Sequence, residues 1–128
     1  ADIERLDLIG RLTDEGINVS FGSDDTFDPW NPLGNAKMRD QVSMGLYAGH
    51  MLGYEEIVNS YRFVTTNAAR TLHLGDAYGI KEGNDANFII LDAKDWYDAL
   101  NYDANVLRNY RKGKLIASTA PVDKQVFF

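Results

Sequence analysis

An amphipathic helix that leads through a glycine into a short apolar run constrains the fold of this chain most. Over residues 1–15 the apolar side chains recur at three-residue spacing between charged residues, which predicts a helix with one face on a core. These apolar residues are Ile3, Leu6, Ile9 and Leu12. Gly16 ends the helical pattern, and Ile17–Phe21 follows as a short, buried strand. A helix followed by a buried strand is one αβ unit of a parallel sheet.

The predicted strand needs neighbours. A parallel strand is stable only beside other strands, and the remaining sequence offers no second αβ unit. Two interpretations are open: either the 128 residues are a piece of a larger protein, or Ile17–Phe21 is not a strand. We favour the first, in which the chain is part of an α/β protein and incomplete on its own.

The loop Gly22–Asn35 after this strand is rich in Gly, Ser, Asp, Asn and Pro. It contains three carboxylates, those of Asp24, Asp25 and Asp28. Long loops at the carboxyl ends of parallel strands hold the chemistry of α/β enzymes. A carboxylate at Asp24 can bind a metal ion through oxygen and accept a proton from metal-bound water. The alternative is that Asp24 and Asp25 are turn residues bonded to their own backbone.

Three further side chains are candidates for a site, and each has a simpler explanation. Trp30 can wall an apolar pocket and stack on a planar ligand, although a tryptophan at the rim of a core is commoner. His50 and His73 lie on predicted helices, where a satisfied or exposed histidine is commoner than a metal ligand. The chain therefore has too few plausible ligands to hold a catalytic metal by itself.

Three helices are predicted after the loop. They span residues 36–52, Tyr54–Val64, and Thr66 or Asn67 through Leu72. Thr66 and Asn67 are both good N-caps for the third helix. The small residues Gly45 and Gly49 in the first helix indicate close packing against a neighbour.

The pattern changes near residue 75, where we place a domain boundary. Beyond it, glycines separate short predicted strands at Asn87–Leu91, Val106–Tyr110 and Lys114–Ser118. Lys112 and Gly113 lie between two β-prone runs and predict a hairpin turn. Trp96–Leu100 is expected to form a helical turn between strands.

Charge and composition exclude several classes of function. A net charge of −6 without a basic stripe argues against nucleic-acid binding. No apolar run approaches the roughly 20 residues of a membrane-spanning helix, and a cytoplasmic location is the expectation. Cysteine is absent, which excludes disulfides and the cysteine-ligated zinc deaminases. The sequence also contains no His-x-His, His-Glu-x-x-His, Gly-x-Ser-x-Gly or phosphate-binding loop motif.

Several segments resemble the C-terminal part of cytosine deaminase-like members of the metal-dependent amidohydrolase superfamily. They are INVSFGSDDTFDPWNPLGNAKM, MGLYAGHMLGY, TTNAARTLHL, YGIKEGNDANFIILDA and RKGKLIAST. The DDTFDPWNPLG part is fairly specific to cytosine deaminase, whereas the later segments are general to the superfamily. The resemblance implies a (β/α)₈ TIM barrel, with residues 1–75 supplying its last strand and the following helices. Residues 76–128 would then be the C-terminal strands of a small composite β-sandwich.

The same resemblance assigns roles to residues of the loop. Asp24 matches the aspartate that binds the metal and transfers protons, Asp25 matches a residue of the pyrimidine pocket, and Trp30 matches the tryptophan that closes it. Ser23 stands where several cytosine deaminases have histidine, which loosens the assignment of the substrate. One divalent metal ion, Zn or Fe, is implied, with most of its ligands outside this chain.

The implied reaction is the hydrolytic deamination of cytosine to uracil and ammonia. The alternatives are a related amidohydrolase acting on a triazine- or creatinine-type ring, and a non-catalytic module. The expected partners are a small-molecule substrate and the missing N-terminal part of the same protein, in a homo-oligomeric parent without nucleic acid or membrane.

Overall fold

Helices make up the first part of the chain, and a small sheet makes up most of the second. The computed structural model describes residues 8–29, 31–123 and 125–128. Contacts divide the chain into two units, Ala1–Gly75 and Asp76–Phe128. Within the described ranges, no helix combines the length and the apolar character that crossing a membrane requires.

The described residues of the first unit form four short α-helices. They are α1 (Leu8–Asp14), α2 (Met38–Ala48), α3 (Tyr54–Asn59) and α4 (Thr66–Thr71). A 3₁₀ helix, Ser60–Val64, continues directly from α3, so the predicted helix at Tyr54–Val64 is present but changes its winding halfway. The helix predicted at residues 36–52 is confirmed as α2, which covers a shorter range. Ile3 and Leu6 lie outside the described residues, so the first two turns of the predicted opening helix stay a prediction.

Small residues let the helices of this unit pack closely, as predicted. A Cβ atom on Gly45 would overlap the ring of Phe21, and one on Gly49 would lie 3.4 Å from Ile9 Cδ1. The core around them is apolar and almost fully buried. It comprises Val42, Leu46, Met51, Phe63 and Ala69. Burial of these side chains fixes α2 and α4 against the 3₁₀ helix.

Helices end here on residues with left-handed backbone. These residues are Gly16 (φ 78°), His50 (53°), His73 (54°) and Asp103 (49°). In the Schellman motif, the residue after the left-handed one donates its N–H to a carbonyl in the last turn of the helix. Accordingly Met51 N donates to Leu46 O at 2.9 Å, and Leu74 N to Ala69 O at 3.0 Å. The two histidines are thus exposed residues just beyond the ends of α2 and α4, and not within the helices as predicted.

The prediction of a buried strand at Ile17–Phe21 stays a prediction, because the parallel neighbours that it requires are expected outside this chain. The segment forms no ladder with any strand of the described ranges, and Ile17 is 52% exposed. A strand is defined by hydrogen bonds to a neighbouring strand, and the strands of the described chain all belong to the second unit. An apolar run alone therefore does not make a strand.

The second unit contains a three-stranded antiparallel sheet in the order β1–β2–β3. The strands are β1 (Phe88–Leu91), β2 (Val106–Arg111) and β3 (Lys114–Ser118), with helix α5 (Trp96–Asn101) between the first two. Lys112 and Gly113 connect β2 to β3 with φ values of 51° and 74°. Positive φ at both central residues is what a type I′ hairpin turn requires, so the predicted hairpin is confirmed. The predicted helical turn between strands is likewise present.

Candidate functional site

Side-chain hydrogen bonds attach residues 17–21, here called the extended segment, to α4. This segment precedes residues 22–35, here called the carboxylate loop. Asn67 Nδ2 donates to Val19 O at 2.8 Å. Asn18 Nδ2 donates to Asn67 O at 3.1 Å and to Thr71 Oγ1 at 3.1 Å. The hydroxyls of Ser20 and Thr71 are 2.9 Å apart. Alternate residues of an extended segment point to the same side, and Asn18 and Ser20 accordingly both reach α4.

Phe21 provides the apolar part of this attachment. Its N–H donates to Phe63 O at 3.0 Å. The rings of Phe21 and Phe63 are stacked, with centroids 4.5 Å apart and planes 11° from parallel. Because Gly45 has no side chain, the Phe21 ring lies directly against α2. The segment that ends at Phe21 is therefore fixed on both its polar and its apolar side.

The loop after Phe21 is closed by hydrogen bonds of its own. Asp28 Oδ1 accepts from Asn31 N at 2.7 Å. Asp25 O accepts from Asn31 Nδ2 at 3.1 Å and from Ser23 Oγ at 2.9 Å. These bonds bring Asn31 back to Asp25 and Asp28. The Asp28 carboxylate accepts from a backbone N–H as turn aspartates do, whereas the simpler interpretation assigns that role to Asp24 and Asp25.

Gly34 is required for the loop to return on itself. A Cβ atom at Gly34 would overlap the carbonyl oxygen of Thr26, a backbone atom that cannot move aside cheaply. Gly34 N also donates to Asn31 O at 3.1 Å. Thr26 and Gly34 are therefore in direct contact, which closes the part of the loop that contains Asp28.

Asp24 differs from the other two loop carboxylates. Its backbone is left-handed, with φ 56°, a conformation that aspartate adopts more readily than most residues. Its side chain is exposed, and among the hydrogen bonds of the described residues none involves the Asp24 carboxylate. An exposed carboxylate without internal partners is available to an external ligand.

The Asp25 carboxyl is tied to its neighbours instead. A hydrogen bond to the Asp28 side chain raises the pKa of Asp25 above its ordinary value, and desolvation and the negative charge of Asp24 raise it further. The hydrogen bond favours the protonated form of Asp25, which can donate to Asp28. Asp25 thus keeps its proton to a higher pH than an isolated aspartate would.

The described residues provide only part of the ligand set that a divalent cation needs. A carboxylate oxygen such as that of Asp24 is a normal ligand for zinc or iron. In the part of the chain that the structure describes, no three His, Cys, Asp or Glu residues come together as a metal site. His50 and His73 lie at helix ends and not in the carboxylate loop. Trp30 lies outside the described residues, so its predicted role at the pocket is untested.

An open groove elsewhere in the first unit does not include the loop carboxylates. Its volume is about 370 Å³, and it lies between α1, α3 and α4 beside Ile17 and Asn18. Asp14, Glu55 and Arg62 are among its polar lining residues. The groove is thus near the beginning of the extended segment, whereas Asp24 follows the end of that segment.

Asn67 and Thr71 were missed as residues that support the site. The sequence suggested Asn67 as an N-cap, but α4 begins at Thr66 with no side-chain cap, and the Asn67 amide is used on Val19. The sequence did contain a pattern that indicates this role, because positions four apart share one face of a helix. Asn67 and Thr71 are four apart, and the polar residues Asn18 and Ser20 alternate in the segment opposite them.

Comparison with known proteins gives one family match and several similar structures. The sequence model of the amidohydrolase family matches residues 3–118. The crystal structure of 5-methylcytosine deaminase from Klebsiella pneumoniae, liganded with 5-fluorocytosine, is similar with a TM-score of 0.87 and 42% sequence identity. That similarity covers 92% of this chain and 29% of the deaminase. The same enzyme liganded with phosphonocytosine gives a TM-score of 0.86 at 42% identity.

Enzymes that act on N-isopropylammelide are more distant relatives. N-isopropylammelide isopropyl amidohydrolase from Pseudomonas sp. (strain ADP) is 26% identical over 106 residues, which is 83% of this chain and 26% of that protein. N-isopropylammelide isopropylaminohydrolase from Burkholderia multivorans ATCC 17616 shares the fold, with a TM-score of 0.72 at 24% identity over 83% of this chain and 27% of that one. This chain therefore spans less than a third of the length of each protein it resembles.

Proposed function

Because the chain belongs to the amidohydrolase family, we propose that it is the C-terminal part of a longer deaminase, here called the parent protein. The proposed reaction is the hydrolytic deamination of cytosine to uracil and ammonia. The observation that carries this proposal is the 42% identity, over 92% of the chain, to a 5-methylcytosine deaminase. The identity to the N-isopropylammelide enzymes is lower, at 24–26%, which favours a pyrimidine over a triazine ring.

We propose that Asp24 is both a metal ligand and the proton-transfer group. Family members are generally metal-dependent, and Zn or Fe is the proposed ion. When bound, such an ion supplies a water of lowered pKa. The Asp24 carboxylate accepts a proton from the attacking water and returns a proton to the departing amine. Water adds to the ring carbon, the C–N bond breaks, and ammonia leaves. The exposed, unpartnered state of Asp24 supports this role.

The neighbouring residues of the loop are proposed to line the pocket. Asp25 is turned toward Asp28 by their hydrogen bond, so its carboxyl is presented in a defined orientation for a ring N–H or ring nitrogen. Trp30 is proposed to close the pocket over the planar ring. These two assignments rest on the resemblance of DDTFDPWNPLG to the cytosine deaminase motif.

We also propose a place for each unit in the parent protein. Residues 1–75 would be the final part of a (β/α)₈ barrel, with Ile17–Phe21 gaining strand neighbours from the preceding sequence. Residues 76–128 would be the C-terminal share of a β-sandwich. Three apolar side chains, Ile17, Leu115 and Ile116, are 46–55% exposed. Their exposure supports the proposal that another part of the parent protein covers these surfaces.

The proposed reaction is tested by incubating the parent protein, loaded with zinc or iron, with cytosine. Uracil and ammonia should appear in equal amounts, as measured by chromatography and an enzymatic ammonia assay. An aminotriazine substrate is run in parallel, because the N-isopropylammelide relatives make that ring the second candidate. Turnover of the triazine alone would reverse the order of the candidates, and turnover of neither ring would contradict the proposal.

The role of Asp24 is tested with the variant Asp24→Asn in the parent protein. Asparagine keeps the size of the side chain but cannot accept a proton, so kcat should fall by at least about 10²-fold, the order associated with loss of general acid–base catalysis. Metal content should fall as well. Asp14→Asn is the matched control, because Asp14 is exposed on α1 and outside the loop. Wild-type turnover in Asp24→Asn would overturn the assignment.

A further inference from the structure

Asn67 bonds the extended segment with both its side chain and its backbone. Its amide nitrogen donates to Val19 O at 2.8 Å, across 48 residues of sequence. Its backbone carbonyl accepts from Asn18 Nδ2 at 3.1 Å. The bond to Val19 is partly buried, so water competes less well for it than at an open surface. One residue of α4 therefore holds two successive residues of the segment.

Thr71 extends this attachment by one helical turn. Its hydroxyl donates to Asn67 O at 3.1 Å. Because a hydroxyl has a single proton, Thr71 Oγ1 acts as acceptor toward Asn18 Nδ2 at 3.1 Å and toward Ser20 Oγ at 2.9 Å. The side chains of Asn18, Ser20 and Thr71 thus form one connected network with the backbone carbonyl of Asn67, whose own side chain binds Val19 O.

The network lies directly upstream of the proposed catalytic carboxylate. Asn18 and Ser20 belong to the segment that passes through Phe21 into Asp24. Asp24 itself has no side-chain hydrogen bond within the described ranges that would hold it in place. The loop bonds of Ser23 and Asp25 fix the backbone beside it. The preceding segment also contributes to its position, and that segment is fixed by the Asn67 network and by the Phe21–Phe63 contact.

We infer that Asn67, supported by Thr71, is a positioning residue that sets where the Asp24 carboxylate stands. The inference rests on the proposed function, in which Asp24 transfers the proton. The hydrogen bonds of Asn67 go to Asn18 and Val19, which precede the loop of the proposed pocket, so its loss should slow the chemical step more than it weakens substrate binding. A displacement of about 1 Å at a reacting group can cost about 10²-fold in rate.

The test uses Asn67→Asp in the metal-loaded parent protein. The substitution keeps the shape of the side chain but replaces the N–H donor with an oxygen that faces the oxygen of Val19. We expect kcat to fall roughly 10- to 100-fold while KM changes less than about 3-fold. Two readouts apart from activity should also change: the metal dissociation constant should rise, and hydrogen exchange at the amides of residues 19–21 should become faster.

Asn59→Asp is the matched control. Asn59 is also half-buried on a neighbouring helix, but its amide donates to Glu55 O of its own helix at 2.7 Å. The control should lose some stability and keep its kcat, its metal affinity and the slow exchange of residues 19–21. Equal effects of the two substitutions on kcat would overturn the inference, since a general loss of stability would then explain both.

Thr71 provides a second pair of variants in case Asn67→Asp does not fold. Thr71→Ser keeps the hydroxyl, whereas Thr71→Val keeps the shape without it. Thr71→Val should lower kcat at unchanged KM, and Thr71→Ser should restore it. Equal kcat in both variants contradicts the inference. Should the wild-type protein turn over no ring substrate, the proposed function fails alone, because metal affinity and hydrogen exchange still report whether Asn67 fixes the segment.

Discussion

At the scale of single residues, His50 and His73 show that a candidate ligand can have a purely conformational role. Both occupy left-handed backbone at the end of a helix, where glycine is the usual residue. A left-handed conformation costs a residue with a side chain about 1–2 kcal/mol. Neither histidine lies in the carboxylate loop. Their positions are explained by helix termination, and no metal is needed to account for them.

We therefore expect His50→Gly to stabilise the parent protein. Glycine adopts a φ of 53° without steric strain. The free energy of unfolding should therefore rise by about 1 kcal/mol, as measured by urea denaturation. Turnover should be unchanged, because His50 is outside the proposed site. His50→Ala is the control, since alanine retains a Cβ atom and its strain. Equal stability of the glycine and alanine variants would contradict this explanation.

At the scale of elements, the contact between Phe21 and Gly45 joins the extended segment to α2. A Cβ atom added at Gly45 would overlap the Phe21 ring, so Gly45→Ala should destabilise the parent protein by about 1–3 kcal/mol. In a Phe21→Leu background the smaller side chain leaves room for the added Cβ atom. Gly45→Ala should then lower the free energy of unfolding much less. A double-mutant cycle measured by urea denaturation gives the coupling directly. Strictly additive costs would show that the ring and α2 are not in contact.

The elements also show which parts of the fold the sequence could predict. Helices α2 and α4 and the hairpin at Lys112–Gly113 follow from local signals, namely periodicity, glycine positions and β-propensity. The strand at Ile17–Phe21 could not be decided locally, because a strand requires a partner. The change of winding at Ser60 is invisible to a periodicity argument, since α and 3₁₀ turns place apolar residues almost alike.

The candidate site was predictable to a similar extent. Asp24 and Asp25 stood out because a loop rich in turn residues follows an apolar run, and the resemblance supplied their roles. The bond from Asn67 to Val19 spans 48 residues, and no local pattern states which distant carbonyl an asparagine will reach. Asn67 therefore looked like a helix cap, which is the common use of asparagine before an apolar helix.

At the scale of the whole molecule, the described chain carries one proposed ligand of a site that needs several. We expect the 128-residue chain alone, supplied with zinc or iron, to deaminate neither cytosine nor an aminotriazine. The reason is that its described residues include no cluster able to hold the ion. Product formation is measured by chromatography, with circular dichroism as the check that helices are present. Metal-dependent turnover by the isolated chain would contradict the prediction.

The Asn67 network has a consequence for recombination between related enzymes. The carboxylate and its anchor come from one continuous stretch, residues 18–71, within a single unit. A crossover on either side of that stretch moves both into a new background together. A crossover between Phe21 and Asn67 would join the acidic loop of one parent to the support of another. Chimeras made in this region should therefore keep the stretch as an undivided cassette.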